Sequence, residues 1–265
     1  MVVRFLLTND DGVRAPGIQS VFKALCEDHD LVIVAPREQR SAASQSFTFG
    51  ASYTVQKVGE SVYQCSGSPT DCVMFGIAEL GPFDAVVSGM NQGANVAWDI
   101  WYSGTVGAAF EAARRQVPAI ALSLNVLPDD PMNASSHQYI AACQQFARYV
   151  RHSLVEVIKP GMLVNLNFPN SKTLMERTPQ VAMLGTYPFN RQVLVRDANA
   201  QREEWNAHIE HHERNVEGAL TQPESDGALL RFGPTMTLLG AQWHVCQESE
   251  QRHLKEWLLH GGGLL

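Results

Sequence analysis

The chain has 265 residues, 45% of them hydrophobic and 18% charged, so it can fill a core and is not of disordered composition. Its formal charge is -7, and Arg114-Arg115 is its longest basic run, which speaks against a duplex nucleic-acid binder but not against a single-nucleotide ligand. Five scattered cysteines (26, 65, 72, 143 and 246), no secretory leader and no apolar run near the ~18 residues of a membrane span predict a reduced, cytoplasmic protein with no membrane partner.

The first informative stretch is VRFLLTNDDG, residues 3–12. Phe5, Leu6 and Leu7 predict a short buried strand, and the run ends abruptly in Thr8, Asn9, Asp10, Asp11 and Gly12. Two adjacent carboxylates repel unless a positive charge lies between them. Carboxylate, amide and hydroxyl oxygens are what a hard divalent cation such as Mg²⁺ or Mn²⁺ accepts. An acidic turn before the next helix is the plainer reading of the same residues. Pro16 suits a first helical turn, and Ile18, Val21, Phe22 and Leu25 recur at helical spacing to about Glu27. LVIVAP, 31–36, predicts a second strand, and strand–helix–strand in so few residues is a βαβ unit with parallel strands. The loop after Pro36, REQRSAASQS, therefore opens on the same sheet edge as Asp10 and Asp11, where its hydroxyls and guanidinium groups could hold a phosphate or complete a metal shell.

Alternation from Phe47 to Cys65, with Gly50 and Gly59 as turn points, predicts antiparallel strands forming a flap or edge. Ser68-Pro69-Thr70-Asp71 reads as a capped helix start, continued by Val73, Met74, Ile77 and Leu80. Ala85-Val86-Val87 predicts a strand ending in Ser88, Gly89, Asn91, Gly93 and Asn95, residues that let an anion or metal approach backbone and amide groups. Ser103-Gly104-Thr105 begins an Ala-rich helix whose free N–H groups form a ready anion site, although Ser103 or Thr105 could equally be a simple cap. There is no Walker lysine motif and no GxGxxG.

VPAIALSL, 117–124, predicts another strand, followed by a loop at 125–135 and one long helix running to Pro160. LVNLNFP, 163–169, is a strand with Asn165 and Asn167 on one face. Residues 186–245 read as a polar, irregular β extension with strands near Met236 and Trp243, and 249–260 as an amphipathic helix. His208, His211 and His212 raise a zinc reading, since His208 and His212 would share a helix face, but WNAHIEHHERN is not HExxH and a solvated face is the better account.

Four polar loops, after the strands ending near 7, 35, 88 and 124, thus converge on one edge of a parallel sheet, the edge at which open α/β sheets bind ligands. Two carboxylates, serines, asparagines, glycines and a helix start amount to a metal plus an oxyanion, with no thiolate or paired Ser-His nucleophile. Metal-assisted hydrolysis of a phosphate ester is the chemistry best served.

LLTNDDG-x4-PGI at 6–18, VAPREQRSAAS at 34–44, SGSPTDCV at 66–73, VVSGMNQGAN at 86–95 and SGTVGAA at 103–109 resemble the SurE (survival protein E) family of nucleotidases, with LNFP at 166–169 and Ser225-Asp226 extending the match. The resemblance implies a Rossmann-like α/β core, here 1–185, with a β extension and C-terminal helix at 186–265 that serves oligomerisation. It implies hydrolysis of nucleoside 5′-monophosphates, and of 3′-monophosphates in some members, by a homodimer or homotetramer with one divalent cation per subunit. By the same resemblance the metal ligands fall on Asp10, Asp11, Ser41 and Asn91, while Ser44, Gly93, Asn95, Ser103, Gly104 and Thr105 surround the phosphate. Catalysis would rest on Asp10, Asp11 and Asn91. The chain departs from the family where Ser41-Ala42 stands for the usual Ser-Gly, and where EEWNAHIEHHERN replaces Gly-rich segments. Two other readings stay open at this point: a nucleotide sensor without turnover, and an aspartyl-phosphate phosphatase. The latter wants Asp-x-Asp rather than adjacent acids.

Overall fold

The computed structural model describes residues 1–126, 136–187, 191–196, 205–210, 221–240, 244–245 and 248–262. Strand β1 (Arg4–Thr8) lies mid-sheet, parallel to β2 (Asp30–Pro36) on one side and β5 (Ala85–Gln92) on the other. Between β2 and β5 in the chain come β3 (Val55–Lys57) and β4 (Val62–Cys65). The sheet continues through β6 (Ala119–Asn125), parallel to β5, and β7 (Met162–Pro169), parallel to β6. Further along, β8 (Gln180–Val181) and the paired strands β9 (Arg191–Arg196) and β10 (Trp205–Glu210) precede β11 (Thr235–Gly240) and β12 (His244–Val245). The main sheet runs β12-β11-β7-β6-β5-β1-β2-β4-β3, with β8 pairing β11, so residues 235–240 return to it antiparallel to β7.

Helices α1 (Pro16–Leu25), α2 (Pro69–Phe75), α3 (Gly104–Arg114) and α4 (Ser136–Arg151) cover its two faces. One face packs Phe5, Leu7, Ile33 and Val87 against Ile18, Val21 and Leu25 of α1 and Phe146 of α4. Each such large side chain stabilises by ~1.5–3 kcal/mol on burial. The other face carries Leu6, Val34 and Val86 against Val73 of α2 and Val106, Ala109 and Phe110 of α3. Residues 104–113 of α3 are all buried, so its alanines permit the helix to lie close against the sheet. This α/β, largely parallel architecture is the one expected from the sequence.

Several local expectations need correction. Residues 47–54 form no strand, and only 55–57 and 62–65 pair antiparallel. The alternation there has no partner strand, because Thr48 is instead held by Asp71, its N–H and hydroxyl both donating to that carboxylate. Strand β5 does not stop at Val87 but continues to Gln92 through a register shift between Ser88 and Asn91. The long helix breaks before Ser153, whose left-handed backbone (φ 66°) separates α4 from a turn at Leu154–Val157. His208 lies on strand β10, where the i, i+4 helical geometry needed to share a zinc does not exist; His211 and His212 fall outside the described residues, as does most of the loop at 125–135.

Candidate active site

The four polar segments open on one edge, as the βαβ rule requires, since β1, β2, β5 and β6 are all parallel. At the end of β1 the chain turns through an internal amide bracket. Asn9 Nδ2 donates to Gly12 O over 3.0 Å and Gly12 N–H donates to Asn9 Oδ1 over 3.1 Å. Gly12 has φ 104°, a backbone state that a side chain resists. Asn9 therefore fixes the turn that presents the two acids.

Asp10 is buried, and its environment pulls in two directions. Desolvation raises its pKa and is the larger effect; the opposing effect comes first from Thr105, whose Oγ1 donates to Asp10 Oδ1 over 2.6 Å, then from the backbone N–H of Asp10 itself and those of Thr105 and Gly104. The start of α3 is thus turned on Asp10 itself. Its positive end and its donors favour the carboxylate charge that burial opposes. Ser103 is the helix cap, its Oγ accepting from Val106 N–H over 3.1 Å. Asp11 is pushed up to about 7, by burial first and by the charge of Asp10 second, against a lowering from the Gln92 N–H. None of the ion pairs among the described residues reaches either acid.

Asn91 sits beyond the register shift of β5, opposite Ser123 of β6, and the N–H of the next residue, Gln92, bonds Asp11. Asn91 Nδ2 donates to the carbonyls of Gln92 (3.3 Å) and Gly93 (2.9 Å), so Oδ1 is the atom of this amide that could accept or ligate. Gly93 N–H is used by Leu124 O (2.8 Å). Asn95 is a bracket between strands: its N–H goes to Asn167 Oδ1, its Nδ2 to Ser123 Oγ, and its carbonyl accepts from Asn165 and Asn167. The amides two apart on β7 therefore hold the loop after β5. Their spacing on an otherwise apolar strand was the signal for this.

The loop after β2 is tied to the same centre by Arg40 N–H, which donates to Asp10 O over 2.6 Å. Ser41, the residue after Arg40, is exposed, with its Oγ accepting from Gln39 Nε2. Ser44 latches the loop onto the segment before α3. Its Oγ donates to Trp101 O (2.6 Å) and its N–H to Tyr102 O (3.0 Å). Ala42, in the position where Gly was expected by resemblance, has φ 58°. A left-handed alanine costs ~1–2 kcal/mol, and glycine recovers that less ~0.5–1 kcal/mol of chain entropy. Ala42→Gly is expected to raise the melting temperature by about 1–3 °C without loss of activity; a melt lowered by several degrees would show that the loop does not need the left-handed state.

One contributor lies far away in the chain. Asp226 is fully buried and accepts the N–H groups of Ala97 (3.2 Å to each oxygen), Gly185 (3.0 Å) and Gly227 (2.9 Å). Burial pushes it up to about 6, against the pull of those donors. Ala97 is itself left-handed (φ 51°), and the carboxylate holds it at the head of the turn Ala97–Trp101 leading to Ser103. No local signal in the sequence joins residue 226 to residue 97.

The residues gathered here fit a divalent cation. Two crowded acids have no cationic partner among the described residues, and with the Asn91 amide oxygen and the Ser41 hydroxyl from the neighbouring segments they would make a hard-oxygen set of the kind Mg²⁺ or Mn²⁺ takes.

Comparison with known proteins gives a consistent picture. The sequence profile of the family described as Survival protein SurE matches residues 5–189. A 5′-nucleotidase SurE of Pelobacter propionicus is 38% identical over 189 residues, 71% of this chain and 74% of that protein. One from Geotalea daltonii is 32% identical over 220 residues, 82% of this chain and 86% of its own length. Among solved structures, the SurE protein from Aquifex aeolicus superposes with a TM-score of 0.74 at 26% identity, covering 97% of this chain and 99% of the other.

Proposed function

The chain belongs to the SurE family, and from that premise we propose that it is a 5′-nucleotidase, hydrolysing nucleoside 5′-monophosphates, and 3′-monophosphates as a secondary activity, with one Mg²⁺ or Mn²⁺ per subunit. The relatives named 5′-nucleotidase support the reaction. The observation that carries it is the pair Asp10-Asp11 at the strand edge, uncompensated by any ion pair among the described residues and faced by the start of α3.

Asp10, Asp11, Ser41 and Asn91 would hold the cation, which when bound supplies Lewis-acid polarisation of the phosphoryl oxygens and a lowered pKa for water. The remaining chemistry belongs to the chain. Asp10, supported by Thr105 and the helix start, is already fixed as an acceptor. Asp11 is less enclosed and is the carboxylate suited to orient an attacking water or take its proton. Asn91 supports charge that builds on the phosphoryl group, while Ser44, Gly93, Asn95, Ser103, Gly104 and Thr105 shape the walls around the phosphate. The same proposal includes a homodimer or homotetramer organised by residues 186–265, supported by family membership and tested by light scattering on the eluted protein. Among the described residues no helix is long and apolar enough to cross a membrane.

Asn91→Ala tests the site. It is expected to lower kcat by about a hundredfold or more while raising KM only a few-fold, and to weaken competitive inhibition by inorganic phosphate. Wild-type kcat together with a wild-type phosphate inhibition constant would remove Asn91 from the active site.

A further inference from the structure

Six Phe, Trp or Tyr side chains are exposed among the described residues, and five of them occupy two loops: Phe47 and Phe49 on one, Trp98, Trp101 and Tyr102 on the other. Scattered exposed aromatics need no explanation, but a concentration of this kind marks a binding surface. The two loops are fastened to each other and to the catalytic edge. Ser44 donates to the carbonyls of Trp101 and Tyr102, Arg40 N–H donates to Asp10 O, and Thr105, three residues past Tyr102, donates to Asp10 Oδ1.

Both loops are also pinned from behind. Asp71 accepts from the N–H and hydroxyl of Thr48, between Phe47 and Phe49, and those two rings stand edge to face with centroids 6.2 Å apart. Asp226 holds Ala97, and Trp98 N–H donates to Tyr187 O over 3.1 Å. The rings are therefore carried on a backbone fixed before any ligand arrives, which lowers the ordering cost of binding. They are exposed and uncharged, on loops whose backbones are bonded to the segment that carries Asp10. A ligand with phosphate at one end and a planar aromatic group at the other fits this arrangement. A base stacked on an aromatic side chain is the interaction such a rim supplies, and it tolerates sequence because every base has a π face.

Resting on the nucleotidase reading above, we propose that Trp98 and Trp101, with Phe49 on the loop that Ser44 ties to them, form a stacking shelf for the nucleobase. The shelf makes the enzyme select nucleoside monophosphates over base-free sugar phosphates.

The test compares adenosine 5′-monophosphate with ribose 5-phosphate, which keeps the sugar and phosphate and lacks the base. The measured quantity is the ratio of kcat/KM for the two, in the wild type, in the double variant Trp98→Ala/Trp101→Ala, in Phe49→Ala and in Trp98→Phe/Trp101→Phe. The double alanine variant is expected to lower the ratio about fivefold to a hundredfold, through KM for the nucleotide, with the phenylalanine pair restoring most of it. Phe49→Ala, at the most exposed of these rings, gives a smaller fall in a variant whose folding is not in question. A ratio unchanged in all the alanine variants overturns the shelf. If the wild type releases phosphate from no nucleotide with any cation, the nucleotidase reading is what fails. Calorimetric titration with adenosine then decides the shelf by itself: binding weakened in the double alanine variant upholds it, and binding equal to wild type, or absent from both, overturns it.

Discussion

Asp10→Asn and Asp11→Asn are each expected to cut turnover by at least a hundredfold at saturating Mg²⁺ or Mn²⁺, with the fold intact. A factor of a hundred is ~2.7 kcal/mol of barrier, a modest loss for removing a charged metal ligand. The fold should survive because each acid is held folded against a cost. Burial disfavours the charge of both, and the charge of Asp10 adds to the burden on Asp11. Neutralising one relieves that conflict. The pH dependence of the cation-free protein follows with a definite sign. Asp11 lies about 7 in the folded protein, against 3.8 for an ordinary aspartate. Between those values the folded chain keeps a proton that the unfolded chain has lost. Stability contributed by this group is therefore fully present below about 4 and declines as pH rises toward 7. Cation-free wild type should melt lower at pH 7.5 than at pH 5, Asp11→Asn should flatten that slope, and added cation should raise the melt most at the higher pH. A variant that kept more than about a tenth of wild-type activity would show its carboxylate to be dispensable.

Gly104→Ala is expected to be nearly as damaging, for a steric reason. A Cβ built on Gly104 lies 2.9 Å from Asp10 Cβ and 3.0 Å from its Oδ2, so the side chain or the helix must move. Asp10 is short and buried, and its carbonyl and carboxylate are bonded to Arg40 and Thr105. It has little room to give, and the start of α3 is displaced instead. Misplacement by even ~1 Å can cost a hundredfold in rate, so kcat should fall by about that much. The melting temperature should change little, because alanine's helix propensity, worth up to ~1 kcal/mol over glycine, offsets part of the strain. Thr105→Ala removes the hydroxyl without a clash and should give a smaller loss, which Thr105→Ser largely restores. Wild-type kcat in Gly104→Ala would mean that contact between the helix and Asp10 is irrelevant to catalysis.

The legible part of this site was local. An apolar run that stops at Thr8-Asn9-Asp10-Asp11 can be read without long-range information, and the parallel order of β1 and β2 follows from the short connection through α1. Other features depended on which groups compete for a hydrogen bond. The Gly and Asn residues after Val87 look like loop, yet they continue β5 because β6 supplies a shifted register. The start of α3 reads as an anion site, but which anion it serves was not in the sequence. In the structure its donors favour the Asp10 carboxylate. The alternation at 47–54 suggests a strand until Asp71 is seen to hold Thr48. Asp226 could not be placed at all, since its partners lie at positions 97 and 185 and only the folded chain brings them together.

The central claim, a cation-dependent nucleotidase centred on Asp10 and Asp11, is tested most directly by phosphate release. Purified protein, stripped with EDTA, is assayed against the common nucleoside 5′- and 3′-monophosphates, before and after Mg²⁺ or Mn²⁺ is restored. The account predicts no release in EDTA, recovery with one or both ions, and no recovery in Asp11→Asn. Release that persists in EDTA, or no release from any nucleotide with either ion, would contradict it.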